Sequence, residues 1–211
     1  MTESRKYSIG EEFANALTHL LAALISAYGI VLLAANSKTT LQALSCAIFG
    51  ITLFLLFQSS VFYHAVVNET VKKIFQKIDH SAIYMLIAGT YTPVLMLTVK
   101  FPRSIAMVAI IWGLALIGVI FSCISLKSKR LSTLLYLLMG WLSIFFVYNV
   151  WVTSHLSVWL MLGGGLFYSL GCVFYLMKSR YMHSIWHLFV IAGALTHYFA
   201  IIELLKAVNG V

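Results

Sequence analysis

The sequence predicts an all-α integral membrane protein: one domain, a seven-transmembrane helix bundle, with the N-terminus cytoplasmic and the C-terminus outside. Three observations carry this. Apolar residues make up 62% of the 211-residue chain and charged residues 9%, against roughly 45–50% and 25% in soluble domains. Long stretches nearly free of charge recur, and about 20 apolar residues suffice for a helix to cross a bilayer. The basic residues collect on alternate connections, which sets an orientation.

The spans fall at about 16–36, 40–63, 80–99, 104–126, 131–152, 156–177 and 183–205. The stretch 131–177 has no Asp, Glu, Lys or Arg. As one helix it would be roughly 70 Å long, more than twice the hydrocarbon thickness, so it is divided near His155. Residues before span one include Glu3, Glu11 and Glu12 and no small-residue cleavage site, so span one is expected to be an anchor and not a secretory signal. Arg5 and Lys6, then Lys72, Lys73 and Lys77, then Lys127, Lys129 and Arg130, then Lys178 and Arg180 share one side. Lys38, Lys100, Arg103 and Lys206 occupy the other. The richer side is assigned to the cytoplasm. The net charge of +8 is therefore topology, and no nucleic-acid partner is expected.

Smaller features read as structural. Cys46, Cys123 and Cys172 have no CxxC spacing and are expected to be small buried hydrophobes. Thr90-Tyr91-Thr92-Pro93 is expected to kink or end span three in its outer half. Gly163-Gly164-Gly165 permits close helix approach or a bend in span six.

Polar residues gather at the cytoplasmic ends. His183 and His187, four apart, present two imidazoles on one helix face. Span two ends with Ser60 and His64, span three begins with Asp79 and His80, and span one opens with Glu11, Asn15 and His19. His64, His183 and His187 thus lie at one depth. Three histidines with an open position make a catalytic-type zinc arrangement, whereas a structural site closes with four protein ligands. The alternative is three helix-end histidines bonded to carbonyls. Asp79 either orients a ligand or accepts a proton from a metal's water, or caps a helix N-terminus. Ser60 either bonds that water or a substrate carbonyl, or bonds back to its own helix. Glu11, Asn15 and His19 share a face and suit outer support of the ligands or a polar cavity wall, as does His80. His197 lies about 15 Å beyond His187 along the helix, too far for the same ion, and is left to pair with a polar group in the bundle.

Ser60-x-x-x-His64, Asp79-His80-Ser81-Ala82-Ile83-Tyr84, Leu86-Ile87-Ala88-Gly89-Thr90-Tyr91-Thr92-Pro93, Leu134-Leu135-Tyr136-Leu137-Leu138-Met139-Gly140-Trp141 and His183-x-x-x-His187 resemble the bacterial hemolysin III family. That family belongs with the progestin and adipoQ receptors, including the adiponectin receptors. The resemblance runs from Glu11 to about Glu203. It implies a multi-pass protein of the bacterial inner membrane, with zinc on His64, His183 and His187 and with Ser60 and Asp79 as accompanying site residues. The related alkaline ceramidases suggest metal-dependent hydrolysis of a lipid amide.

Three functions follow from this reading. The first is a zinc hydrolase of a membrane lipid amide or ester, with Asp79 handling the proton and Ser60 the carbonyl oxygen. The second is a lipid or membrane-state sensor in which zinc ties spans two and seven together. The third is a pore-forming cytolysin, which short loops and seven committed spans disfavour.

Overall fold

In a computed structural model, the described residues are 7–124 and 129–210. Seven helical spans among them are long and apolar enough to cross a membrane. Helix α1 is Ile9–Asn36, α2 Thr40–Ala65, α3 Glu69–Thr98 and α4 Arg103–Ile124. Span five is composite: α5 (Lys129–Trp141), a 3-10 turn (Leu142–Phe146) and α6 (Val147–Trp151). Spans six and seven are α7 (His155–Leu176) and α8 (Met182–Asn209). Of the basic residues that set the orientation, Arg5, Lys6 and Lys127 lie outside the described residues.

Consecutive spans pack side by side, and α8 closes the ring against α1. The buried stripe of α1 shows why: Glu11, Asn15, His19, Ala22, Ser26, Gly29 and Leu33 recur at intervals of three and four. Small residues in the middle of that stripe let neighbouring backbones approach, which drives helix association in lipid. Leu24, Ile25 and Val31 face outward. In water that would be a liability; in a bilayer it is the lipid-facing surface.

Helix starts are set by local chemistry. Ser8 and Glu11 form a capping box on α1, with the Ser8 N–H donating to Glu11 Oε2 at 3.0 Å. Asn68 Oδ1 accepts from the N–H groups of Thr70 and Val71 to start α3. Helix α3 therefore begins at Glu69, ten residues before Asp79. At 1.5 Å per residue its 30 residues reach about 45 Å, so the first turns stand clear of the hydrocarbon. Asp79 is thus inside a helix and caps nothing.

Three other expectations are narrowed or corrected by the structure. Pro93 does not end span three, because α3 continues to Thr98. The glycine run gives close helix approach and not a bend: α7 is continuous to Leu176, and a Cβ at Gly164 would fall on the His197 ring of α8. Cys46 and Cys172 are buried, but Cys123 is exposed, with its Sγ 3.9 Å from the Ser81 hydroxyl of α3.

Span five breaks where no Pro marks it. The Tyr91 hydroxyl on α3 donates to the Met139 and Gly140 carbonyls at 2.9 and 2.6 Å. Those are carbonyls that a 3-10 turn withdraws from the ordinary helical ladder, and a side chain satisfies them instead. Tyr91→Phe should leave the Met139 carbonyl short of a side-chain donor in an apolar setting, while the Ser143 hydroxyl still reaches the Gly140 carbonyl at 3.3 Å, at a cost of about 1–3 kcal/mol. Thermal unfolding of the purified variant should show the loss; an unchanged midpoint would mean that the break is held by packing alone.

Candidate metal centre

His64 is the penultimate residue of α2, and His183 and His187 lie in the first two turns of α8. The packing of α2 and α8 about α1 brings the three together. Ring centroids are 5.2 Å apart for His64–His183, 5.2 Å for His64–His187 and 4.7 Å for His183–His187. One potential ligand atom from each lies within 4.8 Å of the other two. His64 and His187 are buried, and His183 is partly so.

On His64 and His187 the Nδ1 atom is tied down. His64 Nδ1 lies 2.6 Å from Glu12 Oε2 and 3.5 Å from Asn15 Nδ2. The short contact governs: Nδ1–H donates to the carboxylate, and Nε2 is left as a bare acceptor. His187 Nδ1 donates to the Asn15 carbonyl oxygen at 3.2 Å, with the Thr18 hydroxyl also at 3.2 Å. His64 Nε2 and His183 Nε2 are buried without a hydrogen-bond partner among the described residues. Orphaned Nε2 atoms on His64 and His183, with Nδ1 fixed on His64 and His187, suit a shared cation. The donor set fits zinc, and imidazole also accommodates copper, iron or nickel.

Helix α1 supports the ligands from behind. Glu12 carries His64 and is itself paired with Lys72 Nζ at 2.9 Å. Asn15 Oδ1 accepts from the Ser184 hydroxyl at 2.6 Å, while its backbone holds His187. Glu11 Oε1 accepts from the Tyr181 N–H at 3.1 Å. Tyr181 is left-handed, with φ 61°, a conformation that a non-glycine residue keeps only when neighbours enforce it. Glu11 thus fixes the turn that aims α8 and His183. His19 stacks on His187, with centroids 3.7 Å apart and planes 10° apart, and among the described residues both its buried ring nitrogens have no partner. Tyr7 lies 5.2 Å from His183 and 6.0 Å from His64, centroid to centroid, beside the ligands.

Below the histidines lies a cavity of about 160 Å³. Ser60, Asp79, His80, His183 and His187 line its histidine end, and Leu86, Val94, Met161, Leu162 and Val190 line its apolar body. Ser60 and Asp79 both line this end, and among the described residues the buried Ser60 hydroxyl has no hydrogen-bond partner, so it can turn to a bound molecule. His80 is held by its carbonyl, which accepts from the Tyr136 hydroxyl at 3.1 Å.

All the sequence candidates therefore converge on one region, in different capacities. His64, His183 and His187 form the focus; Ser60, Asp79 and His80 line the cavity; Asn15 and His19 touch ligands; Glu11 acts one step back on the turn. Glu12 was missed. Its signal was present but ambiguous, because Glu11 shares the Asn15–His19 face by spacing and Glu12 does not.

The model of the family described as "Haemolysin-III related" matches residues 7–198. The chain belongs to the haemolysin-III-related family. Relatives of this haemolysin-III-related protein include "Hemolysin-3" of Bacillus cereus, 38% identical over 92% of this chain and 91% of that one. "Hemolysin-3 homolog" of Bacillus subtilis (strain 168) is 40% identical over 93% and 95%. "Monocyte to macrophage differentiation factor" of Homo sapiens is 33% identical over 90% and 83%. With its seven apolar helices, the protein is a multi-pass integral membrane protein of the bacterial inner-membrane kind.

Proposed function

We propose that this haemolysin-III-related protein is a zinc-dependent hydrolase of a membrane lipid amide or ester. The observation that carries the reading is the meeting of two features: a focus of three convergent histidines, two of which, His183 and His187, line the polar end of a cavity, and the apolar body of that cavity. His64 Nε2, His183 and His187 would hold the ion. Zinc on three imidazoles with a fourth position open polarises a carbonyl and makes water acidic near neutral pH.

The chain's own residues then have definite tasks. Asp79, on the cavity wall, would take a proton from the attacking water and return it to the departing nitrogen or oxygen. The Ser60 hydroxyl would donate to the carbonyl oxygen as negative charge develops on it. The acyl chain would lie among Leu86, Val94, Met161, Leu162 and Val190. Ile144 lines the cavity and is also exposed on the outside of the bundle. That supports entry of a lipid sideways from the bilayer, beside the broken span five.

The test is turnover of a defined ceramide and of a phospholipid ester by purified protein in nanodiscs. Asp79→Asn should lower turnover by about 10²–10⁴-fold, and Ser60→Ala by about 10²–10³-fold, both with metal content intact. Full activity in Asp79→Asn would end this mechanism.

The geometry of the ligands favours one second reading. They come from α2 and α8, so an ion would also tie those helices together as the clamp of a non-enzymatic lipid sensor. Absence of product with either lipid, together with strong metal-dependent stability, would select it.

A further inference from the structure

Ten residues beyond His187 on α8, about 15 Å along the axis, the same cavity meets a second polar group. His197 is the sixteenth residue of the 28-residue α8, and Tyr168 the fourteenth of the 22-residue α7. Both therefore lie near mid-length of membrane-spanning helices. Their rings are 5.5 Å apart, and both line the cavity. A histidine at that depth is costly and calls for a reason.

Its packing explains half of it. His197 Nδ1–H donates to the Gly193 carbonyl at 2.8 Å, one turn back on its own helix. That leaves Nε2 as a bare acceptor. Among the described residues neither this nitrogen nor the Tyr168 hydroxyl has a hydrogen-bond partner. Both residues are partly buried and line the cavity, and leaving these polar groups unpaired in an apolar setting would be unfavourable.

The two helices also make room for the pair reciprocally. A Cβ at Gly164 on α7 would fall on the His197 ring, and one at Gly193 on α8 would come within 2.9 Å of the Tyr168 ring. Each ring thus sits over a glycine of the opposite helix. Gly164 is the member of the glycine run that serves this packing; a Cβ at Gly163 would meet open space.

We propose that His197 and Tyr168 form a second polar pole that binds a hydroxyl group on the hydrophobic chain of the cavity's ligand. The ligand hydroxyl would donate to His197 Nε2 and accept from the Tyr168 hydroxyl. The ligand class is then a lipid with two polar groups, a head at the three histidines and a hydroxyl about 15 Å along its chain. This rests on the reading that the cavity holds a lipid chain; it does not require turnover.

The experiment compares laurate with ω-hydroxylaurate, binding to the full-length protein in nanodiscs, with dissociation constants from calorimetry. The hydroxylated chain should bind the wild type about ten-fold tighter. Tyr168→Phe, which keeps the ring, should reduce the preference to about three-fold, and Tyr168→Phe with His197→Leu should abolish it. Laurate affinity should stay level throughout. Equal binding of the two chains to the wild type would mean that the pole holds only water, and the proposal fails. A preference that survives in the double variant overturns it as well. Failure of both chains to bind would remove the lipid-cavity reading along with it, whereas missing hydrolysis leaves this comparison unaffected.

Discussion

His187→Ala should strip the protein of bound metal, from about one ion per chain to none detectable by elemental mass spectrometry. The expectation follows from the geometry of the focus. Two imidazoles remain in a buried site, and they cannot complete a three-nitrogen shell. The loss should also appear in stability. An ion present at 100 times its dissociation constant stabilises the folded chain by about 2.7 kcal/mol. Chelation should therefore lower the unfolding temperature of the wild type and leave that of His187→Ala where it is. A direct packing loss adds to this, because His187 also stacks on His19 and bonds the Asn15 carbonyl. His197→Ala is the control: it removes a histidine of the same helix and should keep the metal. Full metal content in His187→Ala, still sensitive to chelator, would end the three-histidine centre.

Glu12→Gln is expected to weaken metal binding by about 10–100-fold. The glutamine keeps a hydrogen-bond acceptor near His64 Nδ1 and removes the charge. A carboxylate 2.6 Å from an imidazole N–H fixes the tautomer and raises the basicity of the opposite nitrogen, the one turned to the focus. Lys72 loses this ion pair too, but it keeps its hydrogen bonds to the Tyr63 and Val66 carbonyls, and the pair is partly exposed and contributes little. Competition against a chromogenic chelator measures the effect. Glu203→Gln, whose partner is Lys206 at the other end of the bundle, should change nothing. An unchanged affinity in Glu12→Gln would reduce the carboxylate to a tether for Lys72. Removing the charge should also leave the helix start intact, since Glu11 and not Glu12 completes the cap on α1.

The seven spans were legible because the transfer of apolar side chains into hydrocarbon is summed residue by residue along the chain. The ends of helices were less so. Hydropathy reports where the chain enters the membrane, whereas Asn68 decides where α3 begins. For that reason Asp79 looked like a helix start and proved to lie three turns inside. The break in span five was invisible for another reason. Leu142-Ser143-Ile144-Phe145-Phe146 contains no Pro or Gly, and the donor that satisfies the carbonyls just before it is Tyr91, from a different helix.

The candidate site divides the same way. The spacing of His183 and His187 puts them on one face whatever surrounds them, and the charge pattern sets His64 at their depth. The sequence by itself therefore determined the fold class, the family and the three histidines as a group. Only the tertiary structure decided which acidic residue meets His64. Glu11 and Glu12 are neighbours in the chain but point about 100° apart around α1, so the choice depends on how that helix is rotated against α2. Likewise His197 and Tyr168 acquire a shared purpose only because α7 and α8 pack through Gly164 and Gly193. Hydrophobicity and helical periodicity belong to one segment at a time. The rotation and approach of two segments belong to the packing of the whole bundle.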